Sequence, residues 1–275
     1  MSSRVNVLAE ELIESVLAKL NLSQRPAPTL ESLKTLYSAW CRRVPFDNIR
    51  KLIHLRNGNP GPLPGDDAAE FFDHWLRFGS GGTCWAGNGA LQTLLHALGF
   101  DARRAVATML VTPDSPPNHG SVTVDFGRQR YVVDASILHG EPLLLDEGLP
   151  AADLPAWAVK LAFRGGHWAI RWRPLHIPEG IDCRIEAFDA GAVVFRERHE
   201  KSRSFSPFNH ELRVRLNRGD SVIGAALGQR LEFAAQGVAS QRPLQGQERL
   251  RFLIEEIGIH EALARALPAD LPTSG

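Results

Sequence analysis

The 275-residue chain is short of cysteine, has no prevailing charge and lacks long apolar runs, and each shortage removes a class of protein. Cys41, Cys84 and Cys183 are an odd, widely spaced set that indicates neither a disulfide framework nor a zinc site, so reduced thiols and no metal are expected. Lys plus Arg and Asp plus Glu each total 31, which leaves no overall field to recruit nucleic acid or an anionic membrane. No window approaches the roughly 18 apolar residues of a membrane span, and Glu10, Glu11 and Glu14 fall inside the stretch a secretory signal would need. A cytoplasmic protein with no nucleic-acid or membrane partner is the expectation. Internal repeats, low-complexity tracts and a clean linker are missing too. Gly79, Gly81 and Gly82 form a glycine-rich turn, but no Gly-Lys-Ser/Thr follows to make it a phosphate loop.

What is present is an ordinary globular composition, 44% apolar and 23% charged, with ample length for a core. The first third reads as helical. Val7, Leu8, Leu12, Val16, Leu17 and Leu20 recur near helical period, and a second helix starts at Thr29 and carries Leu30, Leu33, Tyr37 and Trp40 inward until Pro45. RRVPFDNIRKL has no regular period, NPGPLPG is a loop, and Ala68 to Arg77 forms a short helix with Phe71, Phe72 and Trp75. The stretch from Gly79 to Phe100 then joins flexible backbone to a helix whose Leu91, Leu94, Leu95 and Leu98 share one face, with Gly99 as its stop. Thr83 reads as the N-cap, so Cys84 lies in the first turn, where the dipole and unpaired amides stabilise negative charge on its sulfur.

From Arg103 the period changes to two. Ala105 to Val111 reads as a strand and Pro113 to Asn118 as a loop. Val122, Val124 and Phe126 alternate with polar residues after His119, and Arg130 to Asp134 returns after a turn at Gly127 and Arg128. If paired residue numbers sum to 255, Asp134 lies opposite Ser121, on the face of His119, with diagonal Cα neighbours about 7–8 Å apart. A slip of one residue would separate them. Farther on, GLPAADLPAW reads as a connector, HWAIRWRPL alternates as a strand, and Ala192 to Arg196, Glu211 to Leu216 and Leu231 to Ala235 read as strands. Gln245 to Leu267 is helical through Leu250, Leu253, Ile254 and Ile257, broken near Gly258. Arg42, Arg43, Arg103 and Arg104 read as solvated charges. Cys84, His119 and Asp134 are thus a candidate nucleophile, base and orienting carboxylate.

The residues around these three resemble a family. GGTCWAGNGALQTLLHALGFDARR, then NHGSVTV and RYVVDAS, look like the arylamine N-acetyltransferases, whose pattern is Arg-Gly-Gly-(Tyr/Phe)-Cys-Phe-Glu-x-Asn, a His-led strand and Val-Asp-Val-Gly. RVPFDNI resembles the family's Ile-Pro-Phe-Glu-Asn-Leu, SPFNHEL its Ser-x-Phe-x-x-x-Leu, and ERLRFLIEEIGI its closing helix. The resemblance implies an α+β fold: a helical domain over 1–100, an antiparallel β-barrel-like domain over 101–200 and an α/β lid over 201–275, around a papain-like Cys-His-Asp core. It implies Cys84, His119 and Asp134 as the catalytic triad, Phe46 and Asn48 in the acceptor pocket, and Ser206 and Phe208 against CoA. The implied reaction is ping-pong transfer of acetyl from acetyl-CoA, a co-substrate and not a resident cofactor, to an arylamine, arylhydroxylamine or hydrazine.

Ser80, Thr83, Trp85 and Ala86 depart from the motif, so the charged pair that braces the family's active-site turn is absent, and Ala135-Ser136 replaces Val-Gly. These departures leave open an amide synthase or other acyltransferase using a different thioester, or a catalytically silent binding protein of the same fold.

Overall fold

Apolar spacing becomes helix packing in the N-terminal part of the computed structural model, which describes residues 8–147, 153–154 and 159–271. Here α1 (Glu10–Lys19) and α2 (Leu30–Arg43) are followed by a two-residue strand, β1 (Phe46–Asp47), and then by α3 (Ile49–Arg56), α4 (Ala68–Phe78) and α5 (Cys84–Ala97). Trp40 of α2 stacks on Phe71 and meets Phe72 edge-on, both from α4, in a core that also takes in Leu91, Leu94 and Leu95 of α5. Burial of such side chains contributes about 1.5–3 kcal/mol each. Thr29 caps α2 by accepting from the Ser32 amide, and Asp67 caps α4 by accepting from that of Glu70.

The period-two region forms an antiparallel sheet. Its strands β2 (Asp101–Met109), β3 (His119–Phe126), β4 (Gln129–Val133), β5 (Leu143–Leu144), β6 (Asp153–Leu154), β7 (Val159–Arg164), β8 (His167–Trp172) and β9 (Ile181–Ala190) take the order β5-β4-β3-β2-β9-β8-β7-β6 and make a nearly closed, barrel-like sheet. Val122 pairs with Val133 and Phe126 with Gln129, so the register sums to 255 as the alternation requires. Apart from 153–154, the GLPAADLPAW connector lies outside the described residues.

Ala192 to Arg196 is not a strand. It is the first turn and a half of α6 (Ala192–Phe205), whose Phe195 and His199 are buried. The apolar, β-branched AVVF run misleads as a strand because its burial is decided by packing against α5. The remaining chain makes a second antiparallel sheet, β10 (Val214–Asn217), β11 (Val222–Ala226), β12 (Gln229–Ala234) and β13 (Gly237–Pro243), with β1 added at its edge. It is followed by α7 (Gly246–Arg251), a π-helical turn (Phe252–Ile257) that stops at left-handed Gly258, and α8 (Glu261–Ala266). Among the described residues no helix is long and apolar enough to cross a membrane.

Candidate active site

β1 is where the helices, the nucleophile turn and the second sheet meet. Phe46 pairs with Arg215 and also bridges in parallel to Gly82, two residues before Cys84. Backbone crowding explains the glycines: a Cβ on Gly81 would lie 2.0 Å from the Pro45 carbonyl oxygen, and Gly79 has φ of 75°. Asp47, 1% exposed, accepts from the Ser80 hydroxyl at 2.8 Å, the Gly81 amide at 2.7 Å and the Ile49 amide at 3.1 Å. The turn therefore has a brace although the family's charged pair is missing. Ser80 is short and neutral, and the carboxylate comes from Asp47.

Burial pushes the Asp47 carboxyl up from 3.8 to about 6 against the pull of these hydrogen bonds. Asp47→Ala strips three buried donors of their acceptor and should cost about 2–5 kcal/mol of stability. Asp47's own contribution is full below its unfolded pKa and shrinks as pH rises through the folded one, so that cost should be larger near pH ~4 than near pH ~8. Urea unfolding of both proteins at the two pH values measures it. A cost independent of pH would contradict the raised pKa.

The short chain segment after Asp47 is pinned as well. Asn48 is buried, donates from Nδ2 to the carbonyls of Phe208 and Glu211, and accepts the Arg213 amide on Oδ1. It thus fixes the segment that carries Ser206 and Phe208 and does not itself line the cleft described below. Phe46 meets Phe208 edge-on, with ring centroids 5.4 Å apart.

Cys84 opens α5, although Thr83 makes no side-chain cap hydrogen bond; only its carbonyl engages the helix, accepting the Gly87 amide. The Cys84 sulfur lies 4.0 Å from the Asn118 carbonyl and is near enough to the His119 imidazole to help raise its pKa. His119 Nε2 is 2.8 Å from Asp134 Oδ2, so Nδ1 is the ring nitrogen left for the sulfur. All three side chains are buried.

Asp134 is held from every side. Its Oδ1 accepts from the Ser136 amide at 2.8 Å, the Ser136 hydroxyl at 2.9 Å and the Ile137 amide at 2.9 Å. The Tyr37 hydroxyl donates to its carbonyl and accepts from its amide. Asn88, one turn after Cys84, donates to the Gly120 carbonyl at 2.6 Å and accepts the Ala135 amide at 2.9 Å, tying the helix to β3 and to the turn after β4. Burial alone would raise the Asp134 carboxyl, but the His119 charge and hydrogen bond and the Ile137 amide hold it below the usual range. Burial lowers His119, yet the Asp134 charge and hydrogen bond, with Cys84, outweigh that and raise it to about 10.

A cleft of about 360 Å³ opens onto Cys84 and His119, with Phe46, Ser206, Phe208 and the apolar Trp172 and Leu175 on its walls. Arg198, Lys201 and Arg215 add positive charge. Among the described residues no cluster of His, Cys, Asp or Glu could hold a metal.

A sequence profile of the N-acetyltransferase family matches residues 29–171, just over half of the chain. The chain belongs to the arylamine N-acetyltransferase family. A relative in Mycolicibacterium smegmatis is 30% identical over 125 residues, 43% of either chain, and one in Salmonella typhimurium is 25% identical over 168 residues, 58% of this chain and 57% of the relative. The aligned part thus spans about half the length of these curated relatives. In three dimensions the likeness is longer. The solved arylamine N-acetyltransferase of Mycobacterium smegmatis matches with a TM-score of 0.79 at 17% identity, covering 94% of this chain and 98% of the other. The Mycobacterium marinum enzyme, solved in complex with CoA, matches with a TM-score of 0.77 at 18% identity over 92% and 97%.

Sequence reasoning brought together Cys84, His119 and Asp134 but missed Tyr37 and the Asp47–Ser80 brace. Tyr37 sits on the apolar face of α2 and gives no sign in the sequence that its hydroxyl has work to do. Asn88 had a signal, since it occupies the Asn position of the cysteine motif.

Proposed function

We propose that the protein is an acyltransferase that moves an acetyl group from acetyl-CoA, through a thioester on Cys84, to the nitrogen of an arylamine, arylhydroxylamine or hydrazine. The observation that carries this reading is a cleft lined by both Cys84 and His119, with the imidazole held by the buried Asp134 carboxylate. Cys84 sulfur, its proton already held on the His119 imidazolium, attacks the acetyl carbonyl; the carbon–sulfur bond to CoA breaks, and the departing thiolate takes a proton from the imidazolium. The acceptor nitrogen then attacks the thioester, its proton passes to His119, and the bond to Cys84 breaks. Unpaired amides in the first turn of α5 are placed to stabilise the oxyanion of each tetrahedral intermediate. Asp134 holds the ring so that Nδ1 faces sulfur, and supports its charge.

Phe46 and the apolar walls suit an aromatic acceptor. Ser206 and Phe208 line the cleft, which supports a role for them against the donor arm, and Arg198 and Lys201 suit its phosphates. The M. marinum relative, solved with CoA, supports the same donor. The Asp47 brace weighs against a silent binding protein, because it keeps the nucleophile turn in place without the family's charged pair.

Mixing the protein with acetyl-CoA alone should release about one equivalent of CoA per chain and leave an acetyl group on Cys84 by peptide mass mapping; adding an arylamine or hydrazine should make release continuous. CoA release only when both substrates are present, with no acyl-protein, would rule out the two-step route. An adduct from another thioester but none from acetyl-CoA would reassign the donor.

A further inference from the structure

A second cavity, about 260 Å³, lies behind the nucleophile. Trp85 forms a wall of both cavities and meets Phe195 of α6 edge-on at 5.0 Å. Arg104 is not a solvated charge but half-buried, and it lines this second cavity. Its guanidinium stacks over Phe195 at 5.8 Å and donates to the Thr93 hydroxyl at 3.3 Å. Among the described residues it has no carboxylate partner, and burial alone pulls its pKa down with no opposing charge.

The other charges of the cavity cancel. Arg196 pairs with Asp66 at 3.1 Å, and His199 is buried, with its pKa pushed down to about 4 by that burial. His199 Nε2 bonds the Pro64 carbonyl at 3.1 Å, which requires it to donate, and Nδ1 makes no hydrogen bond among the described residues. Of the two lining guanidinium groups, Arg104 alone is left without a carboxylate among the described residues; His96, the remaining lining imidazole, is exposed. α6 adds to the Arg104 charge, because its first turn ends at this cavity through Ala192 and its N-cap, Gly191, has no side chain to occupy the free amides. An uncompensated guanidinium in a partly dry pocket costs stability unless an anion meets it.

We propose that this cavity is a second binding site, for a small aromatic carboxylate that pairs with Arg104 and the first turn of α6 and lays its ring against Trp85 and Phe195. A single leftover charge fits a monoanion, and the volume fits one ring with its carboxylate. This proposal does not rest on the acyl-transfer reading, since neither Arg104 nor Gly89 lines the cleft at Cys84.

Isothermal titration with benzoate, and with benzamide as its neutral analogue, tests the site. Benzoate should bind the wild type and the Cys84→Ala protein alike, and benzamide should bind neither comparably. Arg104→Gln should weaken benzoate at least about tenfold through loss of a charge-assisted pair. Without ligand, that variant should melt at the same temperature as the wild type or higher, because removing an unpaired buried charge relieves the fold. Gly89→Leu is the second variant: a Cβ there finds its nearest atom, Phe195 Cδ1, at 3.8 Å, so the leucine enters the cavity and should abolish binding while the helix holds. Wild-type protein that ignores benzoate, equal affinity in Arg104→Gln, or a lower unliganded melting temperature in that variant would each overturn the proposal; the last would mean that Arg104 is there for its contacts with Phe195 and Thr93.

Discussion

Cys84→Ala should lose both the burst of CoA and the continuous transfer, a fall of about 10⁴-fold or more, because the step it removes is the covalent one and no neighbouring group can substitute for sulfur. The change should leave the fold close to intact. Cys84 is 7% exposed and stands at a helix start, so loss of its sulfur costs about 1 kcal/mol. A thermal midpoint near that of the wild type, with activity gone, separates chemistry from folding. Transfer that survives at more than a hundredth of the wild-type rate would mean that acetyl passes directly from donor to amine, and would sink the thioester mechanism.

Asp134→Asn should lower kcat/KM by about 10³–10⁴-fold with the fold retained. Four donors converge on Oδ1, so the asparagine carbonyl takes that position and its amide faces His119. Two donors then oppose each other, the ring must present the wrong tautomer, and Nδ1 can no longer accept from sulfur. The same variant has a signature in stability. His119 titrates at about 10 in the fold against 6.5 for the free imidazole, so its pairing supports the fold fully below pH ~6.5 and that support fades as pH rises towards ~10. Without the carboxylate, burial prevails and the ring's pKa drops, so this alkaline loss should vanish. Urea midpoints followed across that window measure the difference between the two proteins. A constant difference from pH ~6.5 to ~10 would show that His119 and Asp134 do not share the charge their geometry gives them.

The hairpin that carries His119 and Asp134 was legible because alternation fixes a face and the Gly127-Arg128 turn fixes a register; Val122 opposite Val133 then follows. The start of α5 was legible from glycines followed by leucines at helical spacing. Local chemistry failed where distant partners decide. AVVF reads as strand by composition, yet Phe195 is drawn against Trp85 and the helix continues through RERHEKSRS. α3 was lost because its eight residues hold too little periodicity to register. Thr83 has the right type and backbone for a cap, but its hydroxyl makes no hydrogen bond to the helix. Ser80 looks only like a departure from the motif and Asp47, 33 residues before it, only like part of another, and their 2.8 Å contact alone shows one compensating for the other.

β1 has only two residues, yet it closes one edge of the C-terminal sheet, touches Gly82 through Phe46 and supplies the Asp47 carboxylate. Cutting away the chain beyond residue 205 would therefore do more than uncover the cleft. Phe46 and Asp47 would lose their sheet partners and Asn48 the backbone it clasps, so the turn ahead of the sulfur would slacken at its anchor. The C-terminal segment is less a removable cover than the far end of a tether that holds the nucleophile turn in place.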